Sequence, residues 1–230
     1  MYFQHSDEIW SDYPELVAGL LFAEGITPDA AVAPRAAKYT SIASLRLAED
    51  TESALPEVQA WRRTFSRMRL KPTQYRCASE SLLRRYRKEG SLPQLHPMVD
   101  IANAVSLAFA LPVAVFDTGK ISECIVVRYA DGDESYLAFS GELEQPDRGE
   151  VVFVDSARRV HARRWANRQS GYSAVEAVTS AVLVVIEGMH AGATTDVAEA
   201  TAVLGGELEA IWSARAKTAV LAQFEPRFDF

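Results

Sequence analysis

Two hydrophobic periods alternate along the chain. Between Pro97 and Phe109 the apolar positions Met98, Ala102, Val105 and Phe109 fall at helical spacing. Pro97 suits the first turn of that helix, because its missing N–H would have no partner there in any case. Asp100, Asn103 and Ser106 form a second, polar stripe, since three-residue steps bring helical side chains next to one another. Leu111-Pro112 ends the element, because the residue before a proline is pushed out of the α region. The apolar run 113–116 is too short for a helix and predicts a strand buried on both faces, with Asp117-Thr118-Gly119 as its turn.

The same two periods organise the rest of the chain. Residues 16–23 (LVAGLLFA) read as a buried strand, and residues 27–40, rich in Ala and Pro, as a loop or irregular helix. A short helix is expected over 41–52. A stronger one is expected over 56–69, where Val58, Trp61, Phe65 and Met68 share a face. Residues 79–88 predict another helix, stopped by Gly90. Residues 124–129 and 135–139, joined through Asp131-Gly132, read as a hairpin, and 151–155 with 160–165 as a second one turning at 156–158. Ser173 to Glu176 has the spacing of a capping box and predicts a short helix. Residues 181–186 (AVLVVI) form the most apolar strand. A last helix is expected over 207–224, after Gly205-Gly206.

Composition places this pattern in a globular chain of 230 residues, 48% hydrophobic and 24% charged, long enough to bury a core without staples. No apolar run approaches the roughly 18 residues of a membrane span, and no charged-then-apolar leader opens the sequence, so a cytoplasmic location is expected. Cys77 and Cys124 offer no disulfide framework and read as buried thiols.

Charge changes the picture more. The net charge of −7 argues against a surface that grips phosphate everywhere. Between Trp61 and Gly90, however, ten basic residues face two acids, Glu80 and Glu89, a local balance of +8. That island (Arg62, Arg63, Arg67, Arg69, Lys71, Arg76, Arg84, Arg85, Arg87, Lys88) is either a solvated helix face or a surface that orients a polyanion.

Dinucleotide, P-loop and esterase-elbow motifs are missing. The four histidines have no metal-ligand spacing, so neither a metal nor a cofactor is expected. His161 alternates with Arg163 and Trp165 and reads as a partly exposed strand histidine rather than a general base.

The order Pro97-Met98-Val99-Asp100-Ile101-Ala102-Asn103-Ala104-Val105-Ser106-Leu107, then Leu111-Pro112 with Phe116-Asp117, then Lys120-Ile121, resembles the B3/B4 editing domain of the bacterial phenylalanyl-tRNA synthetase β chain. The chain is more similar still to free-standing B3/B4 proteins, through the run YRCASESLLRR from Tyr75 to Arg85 ahead of that block and Arg163-Arg164-Trp165-Ala166-Asn167-Arg168-Gln169-Ser170 after it. The resemblance covers about residues 10–190. It implies an α+β fold with mixed and antiparallel sheets and flanking helices, residues 1–190 forming the domain and 191–230 a helical extension packed on it. In the synthetase the domain hydrolyses the ester of a tRNA carrying the wrong aromatic amino acid. Three positions depart from the synthetase's pattern: Ala114 replaces a histidine, Ala102 a threonine, and Val185 a pocket glutamate. Strand side chains repeat every second residue, so Glu187 could face the same side as Val185.

The resemblance therefore implies a different polar set. Glu187, orienting water, and Arg168, holding substrate, are the candidate catalytic residues, and Tyr75, Arg76, Glu80, Asn103, Ser106, Trp165, Asn167, Gln169 and Ser170 the candidate binding residues. Arginine beside amides can hold a carboxylate or phosphate through parallel N–H donors, and an indole offers a flat wall for an aromatic group or base. Arg62, Arg63, Arg67, Arg84, Arg85, Arg87 and Lys88 are the candidate RNA-binding set. Three functions stay open: a trans-acting aminoacyl-tRNA deacylase, a non-catalytic tRNA- or amino-acid-binding module, and an enzyme using another aminoacyl-tRNA-derived substrate.

Overall fold

The computed structural model describes all 230 residues. Its strands and helices follow in the order β1 (Tyr2–His5), α1 (Asp7–Asp12), β2 (Val17–Glu24), α2 (Ala33–Glu49), α3 (Pro56–Arg67), α4 (Ala78–Glu89), α5 (Pro97–Phe109), β3 (Val113–Asp117), β4 (Cys124–Tyr129), β5 (Ser135–Leu137), β6 (Leu143–Glu144), β7 (Val151–Val154), β8 (Arg159–Arg163), β9 (Arg168–Gln169), β10 (Ala181–Gly188), α6 (Ala193–Trp212), β11 (Lys217–Leu221) and β12 (Arg227–Asp229). The fold is α+β. One sheet runs β12-β1-β4-β7-β8-β5-β6 with β9 paired to β8, and a smaller antiparallel sheet runs β11-β2-β10-β3. In the larger sheet β1–β4 and β5–β8 are parallel pairs.

Strand alternation assigns the two faces of the smaller sheet. On β10, Val182, Val184 and Ile186 turn toward α2, α5 and α6, joining Tyr39, Met98, Ile101, Val105, Val197 and Leu204 in one core. Leu183 and Val185 turn the other way, into a core between the sheets with Phe3, Trp10, Leu20, Trp61, Phe65, Phe116, Phe153 and Trp165. By the same period of two, Glu187 continues the inter-sheet face. Helix α6 crosses β2 so closely that a Cβ on Gly19 would lie 2.0 Å from Thr201 Oγ1.

Several elements differ from the sequence expectation. Residues 124–129 and 135–139 are not a hairpin: β4 pairs with β1 and β7, whereas β5 pairs with β6 and β8. The β7–β8 hairpin forms, with a bulge at Phe153/Val154. Residues 33–49 are one helix, not a loop followed by a short helix. The capping-box spacing at Ser173 opens no helix; Thr179 Oγ1 instead accepts the Glu176 N–H. Helix α6 runs through Gly205-Gly206, and the segment read as its continuation is β11, the outer strand beside β2. Strand β12 pairs antiparallel with β1. No helix is long and apolar enough to cross a membrane.

Candidate functional site

Glu187 lies at the end of β10, 3% exposed, between the sheets. Its Oε1 accepts from His5 Nε2 at 2.8 Å and from Trp165 Nε1 at 3.0 Å. Oε2 has no protein donor, and the residue lines a narrow cleft of about 50 Å³ with Ala78, Pro112, Ala114, Trp165, Asn167, Arg168, Gln169 and Val185. Since a water takes roughly 30 Å³ in the liquid, that space suits one or two waters. A carboxylate whose orientation is fixed through one oxygen presents the other to whatever enters the cleft.

The backbone around Trp165 explains how the indole gets there. Arg164 and Trp165 both have positive φ, 49° and 56°, a left-handed pair that costs side-chain-bearing residues about 1–2 kcal/mol each. The turn is held by the Trp165 N–H donating to the Val151 carbonyl and the Arg164 N–H to Glu150 Oε1. The indole then fits edge-on against Tyr13 and Trp61, with ring centroids 4.8 and 5.5 Å away. Trp165 is thus both a core side chain and a wall of the cleft.

The two blocks that flank the Pro97–Lys120 segment in sequence are clasped together in space. The Ala78 N–H donates to the Ala166 carbonyl at 2.7 Å, Asn167 Nδ2 donates to the Arg76 carbonyl at 2.7 Å, and the Arg164 guanidinium sits 4.9 Å from the Tyr75 ring centre. Arg168 pairs with Glu144 at 3.2 Å and lies over the Tyr136 ring at 5.3 Å. Gln169 Nε2 donates to the Val115 carbonyl at 2.6 Å.

Beyond Val113 and Gln169, which line both, the cleft adjoins a wider groove of about 450 Å³ bordered by Leu95, His96, Asn103, Phe139 and Val175. Leu95 and Phe139 stand at its mouth, 68% and 71% exposed. Burial pulls the His96 pKa below its usual value, which favours a neutral imidazole there.

Of the sequence-derived set, Trp165, Asn167, Arg168, Gln169 and Glu187 share the cleft, and Asn103 lines the groove. The other residues make internal contacts. Ser106 Oγ donates to the Leu111 carbonyl at 2.6 Å, fixing the end of α5, and Ser170 Oγ donates to the Leu137 carbonyl at 2.9 Å. Glu80, fully buried, accepts two bonds from Arg62 and lies 3.4 Å from Arg76. Within the basic island, Arg67 pairs with Glu15, Arg85 with Glu89, and Arg84 and Arg87 with Glu52. Arg63, Arg69, Lys71 and Lys88 have no carboxylate partner.

His161 is fully buried, not partly exposed; its Nε2 lies 3.2 Å from Asp155 Oδ2 and its ring meets Phe116 edge-on. Burial alone would raise the Asp155 pKa, but His161, the Arg159 backbone and side chain, and the Ser122 N–H hold it far below the usual range. Both cysteines are buried, and burial pushes the Cys77 thiol up to about 11. Two carboxylate-rich clusters, Glu57–His190–Asp196 and Asp131–Asp133–Glu134, are compact enough to share an ion. In both, arginine supplies positive charge: Arg46 clasps Glu57 with two bonds, and Arg158 and Arg128 face the second cluster.

His5 is the site residue that sequence reasoning missed. It lies 182 positions from Glu187, in a four-residue strand with no recognisable motif. The signal that could have found it is alternation: Phe3 and His5 share one face of β1, and a histidine in such a place needs a buried partner.

These features define an α+β domain of two sheets that enclose a carboxylate-floored cleft. The chain belongs to the B3/4 domain family, which residues 60–203 match. Among solved structures it is similar to an N-terminal fragment of the phenylalanyl-tRNA synthetase β-subunit from Pyrococcus horikoshii, with a TM-score of 0.51 and 13% identity. The match covers 93% of this chain and 49% of that one, so the chain spans about half the length of the fragment it matches; at that identity the likeness is one of fold. No curated protein matches by sequence.

Proposed function

We propose that this protein hydrolyses the ester of aminoacylated tRNA, with the cleft at Glu187 as its reaction centre. The observation that carries this reading is the Glu187 carboxylate, held by two N–H donors on Oε1 and open to a water-sized cleft through Oε2. The synthetase fragment of like fold adds a tRNA-charging enzyme as context.

An aminoacyl ester is already activated, so positioning and a base suffice for its cleavage. A water in the cleft would give a proton to Glu187 Oε2 as its oxygen attacks the ester carbonyl. The C–O bond to the ribose then breaks, and the proton leaves with the ribose oxygen, giving a free amino acid and a 3′-hydroxyl. The wider groove has room for the amino-acid side chain and the terminal nucleoside, with Phe139 and Leu95 as apolar contacts. Arg168, which lines the cleft and pairs with Glu144, would hold a phosphate or the ester oxygen. The unpaired Arg63, Arg69 and Lys71 would contact the tRNA backbone.

A binding role without catalysis is the second reading, favoured by the engagement of six of the ten island cations with carboxylates. One experiment separates the two: purified protein is incubated with tRNAs charged with each of several amino acids. Release above buffer that Glu187→Gln abolishes supports hydrolysis. No release from any of them, with tRNA still bound, leaves the binding role.

A further inference from the structure

On the far side of Asn103 from the groove, a separate cavity of about 240 Å³ opens between α2, α5 and the segment after Gly90. Its origin lies in the sequence of two packed helices. Where α2 and α5 border this cavity, the side chains are Ala33, Ala36 and Ala37 on one helix and Ala104 on the other, so small side chains leave the space between them unfilled. Tyr86 closes one wall.

One charged side chain lines this cavity. Asp100 Oδ1 accepts the Leu95 N–H at 2.9 Å, while Oδ2 has no donor, and neither lysine nor arginine lies within ion-pair reach. The nearest titratable neighbour, His96, uses its Nδ1 to accept the Met98 N–H. Burial raises the Asp100 pKa above its usual value, as expected for a carboxylate removed from water without a countercharge. One helical turn on, the Asn103 amide makes no hydrogen bond within the protein, and Ser91 and Gln94 add polar groups at the rim. An unpaired carboxylate on an otherwise uncharged, half-apolar wall favours a cation with an apolar body. At roughly 30 Å³ per water-sized group, the space holds about eight such groups.

We infer that the cavity between α2 and α5 is a second ligand site that takes a small primary amine, its ammonium on Asp100 and its hydrocarbon part against the alanine floor. The absence of any basic side chain in the lining disfavours ligands that also carry a carboxylate, so amino acids and their acid analogues are selected against. The site borders the groove at Asn103 but does not include Glu187.

The test is calorimetric titration of the full chain with a panel of primary amines from butylamine to phenethylamine, beside phenylalanine and 3-phenylpropionate. The expected result is a Kd below about 1 mM for at least one amine and at least tenfold weaker binding of both carboxylate-bearing compounds. Asp100→Asn keeps an acceptor for the Leu95 N–H and should weaken the amine at least tenfold. Ala37→Leu, on the exposed side of α2, should do the same by filling the space, and Glu187→Gln should leave amine binding unchanged. The inference is overturned if no amine binds, if Asp100→Asn binds as tightly as the parent protein, or if phenylalanine or 3-phenylpropionate binds as well as the amines.

Discussion

Glu187 Oε1 accepts the Trp165 indole N–H at 3.0 Å, so the carboxylate at the end of β10 and the left-handed turn after β8 hold each other in place. His5 makes the same oxygen a three-way junction. With Glu187 as the proposed base, chemistry and stability meet at one side chain, and the choice of substitution decides which is measured. Glu187→Ala should strand two buried donors at about 1–3 kcal/mol each, read by urea denaturation. Glu187→Gln retains an acceptor for both and should stay within about 1 kcal/mol of the parent, while any ester hydrolysis falls by about 10²–10⁴.

Ser106 lies on the polar stripe of α5, yet its hydroxyl is spent on the Leu111 carbonyl. Ser106→Ala should lower stability by about 1 kcal/mol and leave tRNA and amine binding unchanged. A selective loss of binding at normal stability would place this hydroxyl in the site instead.

The basic island should divide by partner. Replacing Arg63, Arg69 and Lys71 together with alanine should weaken tRNA binding and reduce the slope of log K against log salt by up to about 3, with little change in stability. Arg62→Ala should instead destabilise the fold by about 3–5 kcal/mol, because it leaves the buried Glu80 carboxylate without its two-bond partner. Filter binding across a salt series, paired with thermal melts, reads both.

Acid should unfold the protein through two buried carboxylates. Burial on its own would raise the Glu134 pKa, but the N–H groups of Asp131 and Gly132 and the Arg128 guanidinium bring it down to about 2. Asp155 is also depressed. A folded-state pKa below the unfolded one contributes stability that is present above the unfolded pKa and is lost as pH falls through the folded one. Stability should therefore drop from about pH 5 toward pH 2. Urea midpoints across that range should show it, and Glu134→Gln should flatten the curve; an unchanged curve in this variant would count against the assignment.

Local chemistry made the elements on either side of the site readable. Pro97 and Pro112 bracket α5 and β3, and the apolar run of β10 with its period of two correctly turned Glu187 to the same face as Val185. Where pairing is remote, the sequence misled. Asp131-Gly132 has hairpin chemistry, yet β4 takes β1 as its parallel neighbour, a choice settled by burial of Phe3 and Ile125 over a separation of more than a hundred residues. Gly205-Gly206 looked like a helix break, but α6 is held against the sheet by Val197, Leu204 and Leu208, and packing outweighs the roughly 1 kcal/mol propensity cost of each glycine. The site divides in the same way. The family resemblance pointed to the loop after Trp165, whose residues line the cleft, whereas His5 required knowledge of which strand lies beside β4.

The bond from Gln169 Nε2 to the Val115 carbonyl has a consequence beyond the shape of the cleft. Strand β3 is the last in its sheet, and its outer rim carries free backbone groups that could template another chain. By engaging one of its carbonyls, the Gln169 side chain leaves that rim with one fewer free backbone acceptor for another strand. A change that frees Gln169 from this bond therefore also uncovers a backbone acceptor on the sheet edge.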